Sequence, residues 1–394
     1  MSDNMKLLSI LVQTGLHGAV KGQEGSGRNI PFMLVGHPGV AKTQLMRELG
    51  DALAKQIGKD FPVEIFAAPQ RMPEEIGGIP VPFYEENEVR CLPMRAGKSL
   101  MKAGRGLFVV DEYTSTTDAM GGACMTLIQD GALGDLILPH SVARGACANP
   151  PEVAVNPRSC SAPEANRFCW IQWELSFPEW QNYVRGGIGA LADAVLLSPK
   201  WEADFGQKAR GTVLSFLSRN RELFDVTKTM PKAHDSNRPW PSPRSWLSAM
   251  RLLAACDSVG EGPQSDLAYL AVKGTVGDGA ADSFIGWFRE MDLPDPEILL
   301  KDPVAAQEIL KGMRPDKLQV ALESVANAAC QDHKNIDKRW TDAWAVIGPT
   351  IKTQPDNGLY AAKILSAAAM TKVKDVPVPP EVKLVRELLG KVFG

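Results

Sequence analysis

Eight residues constrain this chain more than any others: Gly36-His37-Pro38-Gly39-Val40-Ala41-Lys42-Thr43, reading GHPGVAKT. The apolar run from Pro31 to Val35 before them predicts a buried strand. After them, Leu45, Leu49, Leu53 and Ile57 recur on one face of a helix that Gly58 stops. A strand, a glycine turn and a helix in this order form a cradle for a phosphate chain. Backbone N–H groups converge at the helix N-terminus, glycines allow the tight bend, a lysine reaches the β/γ-phosphates and a hydroxyl meets Mg²⁺. Gly36, Gly39, Lys42 and Thr43 stand in those roles, with His37, Pro38, Val40 and Ala41 completing the loop. Ala41 occupies a position where the generic pattern has glycine. A methyl group fits there if the residue keeps a negative, helix-like φ, and that is the expectation.

The second decisive feature is the short apolar strand Leu107 to Val110 running into Asp111 and Glu112. A carboxylate at the C-terminal edge of a buried strand, beside a phosphate loop, can hold the Mg²⁺ hydration shell, and its neighbour can polarise water. Further strands are predicted at Phe61 to Phe66, at Arg144 to Ala148, which delivers Asn149 to the same edge, and at Phe168 to Leu175. Val81 to Leu92, around an acidic EENE, and Leu133 to His140 read as hairpins. Met5 to Val20 is a helical pattern, and Thr116 and Asp118 can cap a helix ending at Gly131. These elements predict an α/β fold with a doubly wound, parallel, five-stranded sheet whose ligand crevice lies at the strand C-termini.

Beyond Pro178 the strand signal stops. One helix should carry Val213, Phe216, Leu217 and Phe224; another should begin with Ser242 as cap, Pro243 and Arg244. Stripes at Leu318, Leu322, Val325 and Ala329, and at Ile336, Trp340, Trp344 and Ile347, predict later helices whose tryptophans are core, and a last helix covers Val382 to Leu389. The expected division is 1–178, the nucleotide-binding core; 179–260, a helical lid; and 261–394, a helical region without an assigned role. With 43 basic against 46 acidic residues and no long Lys/Arg run, a bulk electrostatic grip on nucleic acid is not indicated. Seven scattered cysteines without a C-x-x-C pair suggest core thiols in a reducing compartment, and no stretch approaches a membrane span, so a cytoplasmic location is expected.

In order and spacing, these motifs resemble an AAA+ ATPase of the MoxR family, from about Pro31 to Ala254. GHPGVAKT is similar to the family's Walker A loop, including its alanine, and LFVVDE resembles Walker B. ACANP resembles the sensor-1 strand with Asn149, PEANRF the arginine-finger segment with Arg167, and PSPRSW the sensor-2 motif with Arg244. The chain departs from the family at Thr114 and Ser115, where Asn-Arg is usual, and in the shortened PEANRF, where Asn166 replaces an aspartate. Arg158 is therefore a second candidate for the finger.

The resemblance implies that ATP and Mg²⁺ are bound. Lys42 and the loop amides would hold the phosphates, Thr43 and Asp111 the metal. Glu112 would orient water, with Asn149 assisting, Arg244 would contact the γ-phosphate in cis, and Arg167 would act from a neighbouring subunit. It also implies a homo-oligomeric ring, usually a hexamer, that remodels or activates a partner protein, often one with a von Willebrand factor A domain. Two alternatives stay open at this level: a nucleic-acid motor of the same fold, which the acidic hairpin disfavours, and a nucleotide-gated scaffold with negligible turnover.

Overall fold

The computed structural model describes residues 2–16, 29–154, 157–186, 194–232, 237–291, 293–330 and 335–369; the helix expected at Val382 to Leu389 lies outside them. Helix α1 (Asp3–Gln13) leads into β1 (Phe32–Val35), α2 (Lys42–Ile57), β2 (Val63–Ala67), α3 (Pro73–Gly77) and the hairpin β3 (Ile79–Phe83) and β4 (Glu88–Leu92). Then come α4 (Arg95–Ala103), β5 (Gly106–Asp111), α5 (Asp118–Asp130), the short hairpin β6 (Ala132–Leu133) and β7 (Leu136–Ile137), β8 (Val142–Ala148), α6 (Ala162–Ala165) and β9 (Cys169–Gln172). The rest is helical: α7 (Phe177–Gly186), α8 (Trp201–Arg219), α9 (Val226–Thr229), α10 (Pro243–Ser258), α11 (Asp266–Val276), α12 (Asp278–Met291), α13 (Pro296–Lys301), α14 (Pro303–Leu310), α15 (Pro315–Ala329), α16 (Ile336–Thr353) and α17 (Pro355–Ala369).

The main sheet has five parallel strands in the order β2-β5-β8-β1-β9. Parallel strands are covered on both faces, so they read as continuous apolar runs without alternation. β1 is buried at all four positions and β8 at all seven. The fold is the expected α/β core around a five-stranded parallel sheet. Its strand order sets β5, β8 and β1 side by side, so residues just beyond their C-terminal ends must meet.

Contacts divide the chain into two compact units, Met1–Glu202 with Glu222–Ile285, and Ala203–Arg221 with Gly286–Gly394. In the first, α10 and α11 pack against α1, and α11 covers the edge strand β9. That approach is close enough that a Cβ on Gly274 would lie 2.5 Å from the Trp170 carbonyl oxygen. In the second, Leu318, Leu322, Val325 and Ala329 pack with Trp340, Trp344 and Ile347. The two indole rings meet edge-on at 5.9 Å, which bears out the tryptophan stripe as core.

Three local expectations are corrected. α1 is helical only over Asp3–Gln13, a turn follows, and residues 17–20 lie outside the described residues. Thr117, not Thr116 or Asp118, caps α5, accepting the Met120 N–H, while Thr116 donates to the Tyr113 carbonyl. Phe224 is not on the helix of Val213, Phe216 and Leu217. The Asn220 side chain and backbone N–H both bond the Phe216 carbonyl and end that helix, leaving Phe224 exposed.

Candidate active site

The phosphate loop turns directly off β1. The Gly36 N–H donates to the Ala148 carbonyl of β8 at 3.1 Å, and a Cβ on Gly36 would lie 2.5 Å from the Trp173 carbonyl oxygen, so only glycine fits. Gly39 meets no such obstacle; its φ of +83° is the reason for glycine there. Ala41 contradicts the expected negative φ. Its φ is 59° and ψ 28°, because the residue before Lys42 must reverse the chain into α2 from the left-handed region. The Ala41 carbonyl accepts the Leu45 N–H at 2.9 Å, and the Trp173 indole N–H closes the loop on the Val40 carbonyl at 2.9 Å.

Four predicted residues come together at the C-terminal edge of the sheet. The buried Lys42 ammonium donates to the Gly36 carbonyl at 2.5 Å, the His37 carbonyl at 2.9 Å and Asn149 Oδ1 at 2.8 Å. The Thr43 hydroxyl donates to Asp111 Oδ2 at 2.8 Å. Burial pulls the Lys42 ammonium below its ordinary range, since neutral acceptors compensate a desolvated charge only in part. A phosphate oxygen would compensate it fully, and the Thr43–Asp111 oxygen pair suits a hard cation that keeps most of its waters. The residues therefore fit both ATP and Mg²⁺. Glu112 follows Asp111 with φ 55°, exposed at the rim, its N–H donating to Asp111 Oδ1 at 3.0 Å. A non-glycine residue held there is strained, as residues at reaction sites often are.

Arg167 lies elsewhere. Arg167 immediately precedes Phe168 and β9, whose Cys169 pairs with Phe32 at the start of β1. The phosphate loop leaves the other end of β1, four residues and roughly 13 Å away along the strand. The Arg167 guanidinium donates to the Pro163 carbonyl at 2.6 Å and to the Gln129 side chain, both neutral. Burial, and after it the charge of Arg244, lower the Arg167 guanidinium from its ordinary value. The charge of Arg244 is thus felt at Arg167, and the start of its helix is tied to Asn166 through Ser242.

Arg158 is engaged within the subunit. It pairs with Glu164 at 2.9 Å, donates to the Thr116 hydroxyl at 3.3 Å, and lies 4.8 Å over the Tyr113 ring. Burial alone would raise the Glu164 carboxyl; Arg158, the Ser161 N–H and the Tyr113 hydroxyl together hold it at about 2. Arg158, Glu164 and Arg167 line an open groove of about 960 Å³ with residues of α5.

Sequence reasoning missed the parts played by four residues: Trp173, which fastens the phosphate loop; Glu164 and Tyr113, which immobilise Arg158; and Asn166, which bonds the segment before α10. Asn166 alone left a signal, an amide where the family that the chain resembles usually has an aspartate.

No family model matches the chain, and no curated protein sequence does. Among solved structures it is similar to a presumed ATPase from Cytophaga hutchinsonii, at 16% identity and a TM-score of 0.39 over 66% of this chain and 75% of that one. It is also similar to a full-length MCM homolog from Methanopyrus kandleri, at 11% identity and a TM-score of 0.40, covering 71% of this chain and 54% of that one. Likenesses this remote carry no functional weight, so function rests on the site. No helix among the described residues is long and apolar enough to cross a membrane.

Proposed function

We propose that this protein is an ATP hydrolase of the AAA+ MoxR type, with its active site shared between subunits of a ring. The observation that carries the reading is the convergence of Lys42, Thr43, Asp111 and Asn149 from the ends of three neighbouring strands. Lys42 exchanges its carbonyl partners for phosphate oxygens, with the loop amides from Gly36 to Thr43 around them. Thr43 and Asp111 hold the Mg²⁺, which when bound neutralises charge on the phosphates. Glu112 at the rim orients the attacking water, and Asn149, free to leave Lys42, helps to position it.

We assign both Arg167 and Arg244, whose segments are joined through Asn166 and Ser242, to the nucleotide of the neighbouring subunit. This differs from the cis role expected for Arg244. In this reading residues 1–178 are the nucleotide-binding core and 179–260 the lid. The ring, a hexamer in the family that the chain resembles, couples turnover to remodelling or activating a partner protein, for which a von Willebrand factor A domain is the class the resemblance supplies. The test is steady-state phosphate release from ATP–Mg²⁺ beside calorimetric ATP binding. Lys42→Ala should weaken binding, whereas Glu112→Gln should bind ATP normally and turn over orders of magnitude more slowly. Wild-type turnover by Glu112→Gln, or undiminished ATP affinity in Lys42→Ala, would remove the assignment.

A further inference from the structure

Arg167 and Arg244 carry like charges that feel one another, so something other than mutual attraction must hold their two segments together. Four hydrogen bonds join the segment before Arg167 to the segment before Arg244. The Cys160 N–H donates to Asn237 Oδ1 at 2.6 Å, and the Trp240 indole N–H to the Ala162 carbonyl at 2.8 Å. Asn166 Nδ2 donates to the Trp240 carbonyl at 2.9 Å, and the Ser242 hydroxyl donates to Asn166 Oδ1 at 2.6 Å. Asn166 is 8% exposed and Ser242 3%. Asn166 is thus one residue from Arg167, and its partner Ser242 is the N-cap of the helix whose second residue is Arg244.

The amide chemistry is specific. The Trp240 carbonyl accepts from both Asn166 Nδ2 and Ser245 Oγ, so it can use only donors. An aspartate at 166 would still accept from Ser242 but would set a carboxylate oxygen against that carbonyl.

We propose that Asn166 is a positioning residue that locks Arg167 and Arg244 into one preorganised anion-binding pair, so that both arginines reach the neighbouring nucleotide as a rigid unit. This rests on the shared-site reading above. It also means that the start of α10 stays fastened to the N-terminal edge of β9 through the ATP cycle.

The test is a kinetic cycle on the full-length assembled protein with ATP–Mg²⁺. Asn166→Asp should lower kcat about 10²-fold, the scale of an ångström-sized misplacement, with KM and oligomeric state unchanged, because Lys42, Thr43, Asp111 and Asn149 are untouched. In an Arg167→Ala Arg244→Ala background the same substitution should lower kcat no further. Ser242→Gly, which keeps an acceptable N-cap residue while removing the 2.6 Å bond together with the side-chain cap on the Ser245 N–H, should reproduce the kcat loss in smaller measure, and it decides the matter if Asn166→Asp folds poorly. Wild-type kcat in both single variants, with the double arginine variant impaired, would overturn the positioning role alone. An equal loss in both backgrounds would make Asn166 merely structural. Wild-type kcat in the double arginine variant would instead overturn the shared-site reading.

Discussion

The sequence offers Arg167 as the trans-acting arginine and Arg158 in reserve, and the structure separates them in a way that stability measurements can check. Arg158 and Glu164 are only 10% and 16% exposed, and the guanidinium also covers the Tyr113 ring at 4.8 Å. Removing one partner of a buried ion pair typically costs about 3 to 5 kcal/mol, mostly by stranding the other charge. Here Glu164 would keep the Ser161 N–H and the Tyr113 hydroxyl, which places Arg158→Ala near the lower figure, about 3 kcal/mol. For a unit of this size that is a fall in Tm of about 5 °C. Arg167 bonds only neutral acceptors at a half-buried site, so Arg167→Ala should cost less than about 1 kcal/mol while removing turnover. Thermal unfolding followed by circular dichroism, beside phosphate release, reads both quantities. An Arg158→Ala protein with wild-type Tm and no turnover would refute the reasoning and make Arg158 the finger.

Ala41→Gly should leave stability equal or raise it by about 1 kcal/mol, since a left-handed φ costs alanine about 1–2 kcal/mol and glycine returns part of that as chain entropy; a lower urea midpoint would show that the methyl's contacts outweigh the strain. Gly36→Ala should abolish calorimetric ATP binding, because its Cβ would meet the Trp173 carbonyl oxygen at 2.5 Å; retained affinity would contradict the tight turn. Because the folded Glu164 carboxyl is held down, its contribution to stability is complete above its ordinary value of 4.5 and is lost as pH falls toward about 2. Glu164→Gln should flatten that part of the stability-pH profile, and an unchanged slope would mean that another carboxylate carries it.

The nucleotide cradle was legible because its requirements are local: a buried run, a glycine turn, a lysine and hydroxyl opening a helix. The same holds for Asp111, the last residue of its apolar strand, and for Asn149, which directly follows one. Less legible was anything set by a partner distant in sequence. The backbone of Ala41 depends on how the loop re-enters α2 under Trp173, more than 130 residues later, and a local pattern suggested the opposite sign of φ. Where the start of α10 is fastened depends on the hydrogen bonds between Asn166 and the Trp240–Ser242 segment, more than 70 residues apart. Arg158 looked free because Glu164 and Tyr113, six and 45 residues away, gave no spacing signal.

The central claim, a site completed across a subunit interface, is tested most directly by mixing two inactive variants. Arg167→Ala subunits keep Glu112, and Glu112→Gln subunits keep Arg167, so a mixed ring contains interfaces at which both intact groups face one nucleotide. Phosphate release should reappear on mixing and rise with protein concentration, given that a guanidinium supplied in trans is worth about 10³ to 10⁵ in rate. No recovery at any ratio, together with wild-type turnover that does not depend on concentration, would contradict it.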